Sequence, residues 1–210
     1  MQASRRARPK PRWIDPFTPE HIRRLVAEFG SPLLIIDCAR VRAQYRSLAR
    51  ALPGVDLHYA LKPLPHAAVI ETIREEGGFF DLATTGEVQL VSRLGIDPAR
   101  CIHTHPIKKF IPHRAEAGLL LRVSFRAPGA VCDLSRKFGC DPEALPGLAR
   151  RARELGLPVR GLSFHVGSQA PNALKHLEAI ETCERLLAQA RRERLGPFDT
   201  LDIGGGFPIG

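Results

Sequence analysis

Leu119-Leu120-Leu121-Arg122-Val123-Ser124-Phe125 is apolar with hardly an interruption. A strand with one wet face alternates apolar and polar residues, whereas a nearly continuous run suits a strand buried on both faces, as in a parallel sheet covered by helices. Comparable short runs lie on either side. Leu33–Asp37, Leu57–Leu61, Phe79–Leu82 and Cys101–Thr104 precede it, Leu162–Val166 and Leu201–Ile203 follow, and helical stretches separate them. That alternation is the grammar of a parallel α/β sheet or barrel. The helices carry start and stop signals: Thr18-Pro19 opens one that Gly30 ends, Thr84 or Thr85 can cap Gly86–Leu94 before Gly95, and Pro171 precedes Asn172–Arg194. In the last of these, Leu174, Leu177, Ile180, Leu186 and Leu187 recur at helical spacing and are predicted to pack against the sheet. One interval breaks the pattern. Between His105 and Gly118, Pro106 and Pro112 leave only a fragment around His113–Ala117 for a helix, although a parallel crossover takes a dozen or more residues. A piece is therefore expected to be missing near Lys109–Phe110.

Length and composition set the outer limits. A chain of 210 residues suits one large domain or one and a half, and 44% hydrophobic with 25% charged residues places it among soluble globular proteins rather than disordered ones. The apolar runs are far too short to span a bilayer and no apolar signal segment follows the basic amino terminus, so a soluble, cytoplasmic protein is expected. Cys38, Cys101, Cys132, Cys140 and Cys183 are odd in number, scattered and without a C-x-x-C pair, which argues for reduced thiols and against a zinc site. The net charge of +9 resembles a nucleic-acid signature until it is mapped. Arg5, Arg6, Arg8, Lys10 and Arg12 concentrate much of it in a segment without acids, better read as a solvated disordered tail over residues 1–17 than as a specific RNA or membrane surface.

In open parallel sheets and βα barrels, residues just past the carboxyl ends of strands line the site. Lys62 follows His58-Tyr59-Ala60-Leu61 and precedes Pro63. It is either a solvated lysine or, in a partly desolvated pocket, an amine able to condense with an aldehyde. Ser163-Phe164-His165-Val166-Gly167-Ser168 delivers an imidazole and, three residues on, a hydroxyl beside a glycine; His165 could contact a ring and Ser168 a phosphate, or the histidine could be structural. Leu201-Asp202-Ile203-Gly204-Gly205-Gly206-Phe207-Pro208 sets a run of glycines directly after a strand, where bare backbone N–H groups can close around a phosphate. It does not fit the dinucleotide pattern G-x-G-x-x-G. Arg122 interrupts an apolar strand and is expected either to be solvated or to pair with a strand-end carboxylate such as Asp81. A lysine for an aldehyde, an aromatic base and phosphate-binding turns are together the requirements of pyridoxal phosphate.

These segments, with Phe80-Asp81-Leu82-Ala83-Thr84-Thr85-Gly86-Glu87 and Ala130-Val131-Cys132-Asp133-Leu134-Ser135-Arg136-Lys137-Phe138-Gly139, resemble in order and spacing the motifs of the alanine-racemase-fold (type III) pyridoxal-phosphate decarboxylases acting on ornithine, lysine, arginine and diaminopimelate. The resemblance covers nearly all of residues 31–210, and the Leu-Ser-Arg-Lys-Phe-Gly segment favours the ornithine/lysine branch. It implies a TIM-like (β/α)8 barrel and decarboxylation of a basic amino acid to a diamine, as in polyamine biosynthesis. Lys62 matches the lysine that carries pyridoxal 5'-phosphate and His165 the imidazole stacked on its ring. Ser168, Gly204, Gly205 and Gly206 match phosphate-binding groups, Asp81, Glu87 and Arg122 match polar supports of the cofactor and lysine, and Lys137 falls in a mobile loop over the site.

Departures from the family carry expectations too. The family has a further helix, strand and helix between Lys108-Lys109 and Phe110, the interval already singled out, and beyond Gly210 a last barrel strand and a β domain that completes a homodimer. The barrel is thus expected to be incomplete, with residues 1–17 a tail, 18–54 a helix, strand and helix, and 55–210 a partial cofactor-binding barrel. Lys62, His165 and Gly204–Gly206 are expected to converge at its carboxyl-terminal strand ends. Leu33–Asp37 resembles the family's strand that joins the absent β domain. A non-catalytic, cofactor-binding or regulatory relative is the alternative.

Overall fold

The computed structural model describes residues 17–105, 117–125, 137–168 and 173–207. The basic tail, Lys108–Phe110 and the fragment at His113–Ala117 except Ala117 itself, Ala130–Arg136 with Cys132, the Pro171 helix start and Pro208 lie outside these residues. The chain divides into two compact units, one ending at Pro106 and the other beginning at Ile107.

In the first unit, helix α1 (Pro19–Phe29) begins where its signals predict: the Thr18 hydroxyl accepts from the His21 N–H and Pro19 takes the first turn, where no N–H is needed. Helix α2 (Cys38–Ala51) is capped by Asp37. Strand β1 (His58–Ala60), helix α3 (Ala67–Glu75), strand β2 (Phe79–Asp81), helix α4 (Thr85–Arg93) and strand β3 (Cys101–Ile102) follow, and the strands pair in parallel in the order β1-β2-β3. Leu61, Val69, Ile70, Ile73, Phe80, Leu82, Val91 and Ile96 form the core beneath α3 and α4. On the outside, Arg42 and Arg46 of α2 clasp Glu76 at 2.5 and 2.6 Å, tying α2 to the end of α3. The two arginines hold the Glu76 carboxyl below the usual carboxylate range; the Arg46 guanidinium is raised by Glu76, and that of Arg42 by Glu75 first and then Glu76.

In the second unit, strand β4 (Leu119–Arg122), helix α5 (Leu145–Glu154), strand β5 (Val159–Ser163), helix α6 (Leu174–Arg192) and strand β6 (Thr200–Asp202) form a parallel sheet in the order β4-β5-β6. Phe164, Phe198, Leu162, Leu145, Val159 and Cys183 lie fully buried between sheet and helices. Beyond Arg122, the segment Phe138–Cys140 is strapped to β4. The Cys140 N–H donates to the Arg122 carbonyl at 2.9 Å, the Ser124 N–H donates to the Cys140 carbonyl at 2.8 Å, and the Ser124 hydroxyl donates to the Phe138 carbonyl at 3.1 Å.

Several sequence expectations need correction. Among the described residues the strands form two open three-stranded parallel sheets, not a barrel of continuous pairing. The interval after β3 that cannot hold a full crossover is where the two units meet in sequence. Leu33–Asp37 is not a strand: among the described residues no strand pairs with it, Leu34 is 75% exposed, and Asp37 serves as the cap of α2. The β5 strand runs over Val159–Ser163 rather than Leu162–Val166, because its pairing with β4 and β6 ends at Ser163 and the chain then turns into the strand-end loop. The buried stripe of α6 is His176, Ala179, Cys183, Leu187 and Ala190, whereas Leu174 and Leu177 are exposed. Leu187 of the expected stripe lies in the core and Ile180 and Leu186 pack against it, while the small Ala179, Cys183 and Ala190 take the most buried positions in place of Leu174 and Leu177. No helix among the described residues is long and apolar enough to cross a membrane. Cys38, Cys101, Cys140 and Cys183 are free thiols.

Candidate functional site

The structure gathers part of the candidate set at the carboxyl ends of β4, β5 and β6. Arg122 ends β4, His165 stands just past β5, and Gly204–Gly206 follow β6. The Asp202 carboxylate, the last residue of β6, accepts the Gly204 N–H at 2.8 Å, a local turn that aims the chain into the glycines. Gly204 has φ +66° and Gly206 φ +90°, the left-handed region where a side chain is strained. A Cβ at Gly204 would overlap the Phe164 carbonyl oxygen, and one at Gly206 the Gly167 carbonyl oxygen. The glycine turn is thus laid directly against the His165 loop. No described residue accepts from the amides of Gly205 or Gly206.

His165 is half-buried, and its Nδ1 accepts the Gly167 N–H at 3.0 Å, which leaves Nε2 to carry the proton of the neutral ring. Burial, and then the Arg122 guanidinium, push the imidazole below its ordinary value, against the opposing pull of Asp202. At neutral pH the ring is therefore uncharged. Arg122 is half-buried as well; burial lowers its pKa and the Asp202 charge works in the other direction. Its guanidinium carbon lies 5.2 Å from the centre of the Phe138 ring. The Asp81 carboxylate, in the first unit, accepts from the Thr104 hydroxyl at 2.8 Å and the Thr104 N–H at 3.2 Å. Ser168 and Lys137 are exposed, Ser168 after the His165 loop and Lys137 beside the strapped Phe138.

The first unit carries the rest. Lys62 follows β1 in a turn held by the Leu61 N–H donating to the Asp81 carbonyl at 3.1 Å, the Leu64 N–H donating to the Leu61 carbonyl at 3.0 Å, and the Tyr59 hydroxyl donating to the Leu64 carbonyl at 3.0 Å. Lys62 itself is exposed. Glu87 is buried in the first turn of α4. Its carboxylate accepts the Ala83 N–H at 2.7 Å while its own N–H donates to the Thr84 hydroxyl at 3.2 Å, so Glu87 completes a helix cap.

Two residues of this region were missed in the sequence. Asp202 had a signal, an aspartate two residues before a glycine at a strand end. His176, buried on α6, donates from Nε2 to the Gly205 carbonyl at 3.2 Å and stacks on Phe207 with ring centres 4.6 Å apart and planes 12° from parallel. Its only signal was membership of the Ala179-Cys183-Leu187 face.

Glycine amides with no acceptor among the described residues, a nearby guanidinium and an uncharged imidazole suit a ligand that joins an anionic group to an aromatic ring, and the residues present fit pyridoxal phosphate on that ground. The fold and this cluster define a parallel α/β protein with a glycine turn at its strand ends. A family model, the pyridoxal-dependent decarboxylase pyridoxal-binding domain, matches residues 38–111 and 107–210, and the chain belongs to that family. The two matched segments meet where the sequence lacks room for a crossover. The chain is 29% identical over 216 residues to the lysine/ornithine decarboxylase of Selenomonas ruminantium, covering 90% of this chain and 54% of that protein. It is 32% identical over 203 residues to ornithine decarboxylase 2 of Drosophila melanogaster, covering 84% and 51%. It is similar to the solved lysine/ornithine decarboxylase of Vibrio vulnificus complexed with cadaverine, with TM-score 0.81, 42% identity and coverage of 92% of this chain and 58% of that one. The chain spans about half the length of the relatives it matches.

Proposed function

We propose that this chain binds pyridoxal 5'-phosphate and serves the decarboxylation of a basic amino acid, ornithine or lysine. The observation that carries the reading is the glycine turn, two of whose amides have no acceptor among the described residues, laid against a neutral, half-buried His165. When bound, pyridoxal phosphate supplies an aldehyde and an electron-accepting ring for the electron pair released with carbon dioxide. The Gly205 and Gly206 amides donate to phosphate oxygens, with Ser168 as a further donor and Arg122 as the nearby positive charge. His165, uncharged, offers its face to the ring without competing for the phosphate. Lys62 offers its amine to the aldehyde, and Asp81 and Glu87 hold the backbone of the strand ends around it. Lys137 directly precedes Phe138, whose ring faces the Arg122 guanidinium, and so stands on the same side of the proposed site. The homodimer typical of such enzymes and a basic amino acid as the second ligand belong to the same proposal.

The test is to add pyridoxal phosphate, reduce with borohydride and map the modified lysine. Label concentrated at Lys62 over Lys137 and Lys175 supports the reading, and label spread evenly over the lysines refutes it. A second reading, cofactor binding without turnover, is favoured by the break in the family match at residues 107–111. On that reading, carbon dioxide release from ornithine or lysine equals the free-cofactor background even when Lys62 is labelled; release well above background rejects it.

A further inference from the structure

We propose that His176 is a positioning residue for the anion-binding turn, acting by holding the Gly205 carbonyl; the inference rests on the cofactor reading above. His176 is 6% exposed and sits in the first turn of α6, on the face packed against the sheet. Its Nε2 reaches the Gly205 carbonyl at 3.2 Å, and because a carbonyl only accepts, the ring is the Nε2–H tautomer. The peptide unit is planar and trans, so its C=O and the following N–H point in opposite directions. With the Gly205 carbonyl turned to His176 on the helix side, the Gly206 N–H points away from that helix. Glycine gives this peptide no side chain of its own to resist a flip, so an outside contact has to set its direction. His176 supplies it twice, through the hydrogen bond and through its stack on Phe207, the residue that leaves the turn.

A purely structural histidine and a positioning histidine differ in what their loss changes. Titrating the full chain calorimetrically with pyridoxal phosphate and, separately, with pyridoxal isolates the phosphate contribution. His176→Phe keeps an aromatic ring on Phe207 and removes the donor; His176→Gln keeps an N–H donor. The wild-type chain should prefer pyridoxal phosphate, His176→Phe should lose about tenfold of that preference with pyridoxal affinity unchanged, and His176→Gln should recover part of it, the scale of one hydrogen bond. A wild-type preference retained in His176→Phe, or a glutamine variant no better than the phenylalanine one, overturns the inference. If His176→Phe loses its cooperative melt, the wild-type chain answers instead: its His176 Nε2–H resonance should shift on adding inorganic phosphate, and an unmoved resonance overturns the inference. A wild-type chain with no preference for the phosphorylated ligand overturns the cofactor reading and this inference with it, an outcome distinct from failure of the variants alone.

Discussion

Alanine substituted in turn at Gly204, Gly205 and Gly206 separates what folding demands of the turn from what a ligand demands. At Gly204 and Gly206 the positive φ costs a side chain about 1–2 kcal/mol. The new methyl group also overlaps a backbone oxygen, of Phe164 or Gly167, that cannot rotate out of the way. Relief requires pulling the end of β6 from the His165 loop, and the whole penalty should be about 2–4 kcal/mol for either variant. Gly205 has no positive φ, and a Cβ there meets only His165 Nε2 at 3.7 Å, an ordinary contact. Gly205→Ala should therefore be neutral or gain about 0.4–1 kcal/mol through a stiffer unfolded chain. Its surface is nevertheless the one an anion must approach, so affinity for pyridoxal phosphate should fall while stability does not. Urea unfolding midpoints of the variants, read beside calorimetric affinities, make the comparison. Gly204→Ala and Gly206→Ala as stable as wild type would refute the interlocked geometry, and a Gly205→Ala variant that binds pyridoxal phosphate as wild type does would remove the turn from the proposed site.

The pH dependence of folding should carry a His165 component. Its folded pKa is depressed from 6.5, chiefly by burial, so the unfolded chain binds the proton more readily and stability is lost as pH falls through that value; urea midpoints between about pH 7 and pH 5 should flatten in His165→Gln, and an unchanged slope would contradict the assignment. Cys183, fully buried and with its thiol pushed up to about 11, should resist iodoacetamide until urea unfolds the chain, whereas half-buried Cys38 reacts earlier; equal labelling rates would count against the packing of α6. The phase of α6 is open to direct test: Ala179→Leu should cost about 1–3 kcal/mol by overpacking, and Leu177→Gln should stay within about 0.5 kcal/mol. The reverse order in thermal melts would restore the leucine face.

What was legible in the sequence was local. Thr18-Pro19 and Thr84 announce their helices because a cap is a contact between near neighbours, and the apolar cores of β1, β2, β4 and β6 stand within a residue or two of their expected places. What failed was non-local. Leu33–Asp37 has strand composition, but a strand exists only where another offers its edge. The α6 face was right for Ile180, Leu186 and Leu187 and wrong for Leu174 and Leu177, because hydrophobic spacing weighs leucine above alanine and cysteine, while close packing on a sheet rewards the smaller side chains. The candidate site divides in the same way. Strand-end positions flagged Arg122, His165 and Gly204–Gly206, whereas His176 depends on a helix register that only packing fixes.

The interlock of the Gly204–Gly206 turn with the Phe164–Gly167 carbonyls ties molecular recognition to lifetime. That cradle exists only while β5 and β6 are paired, so an anionic ligand seated in it meets the native form alone, and each tenfold excess over its dissociation constant adds about 1.4 kcal/mol to the free energy of opening. Proteolysis of the transiently opened chain follows the open population. Abundance of such a protein would then track the supply of its ligand, with scarcity clearing the empty chains first.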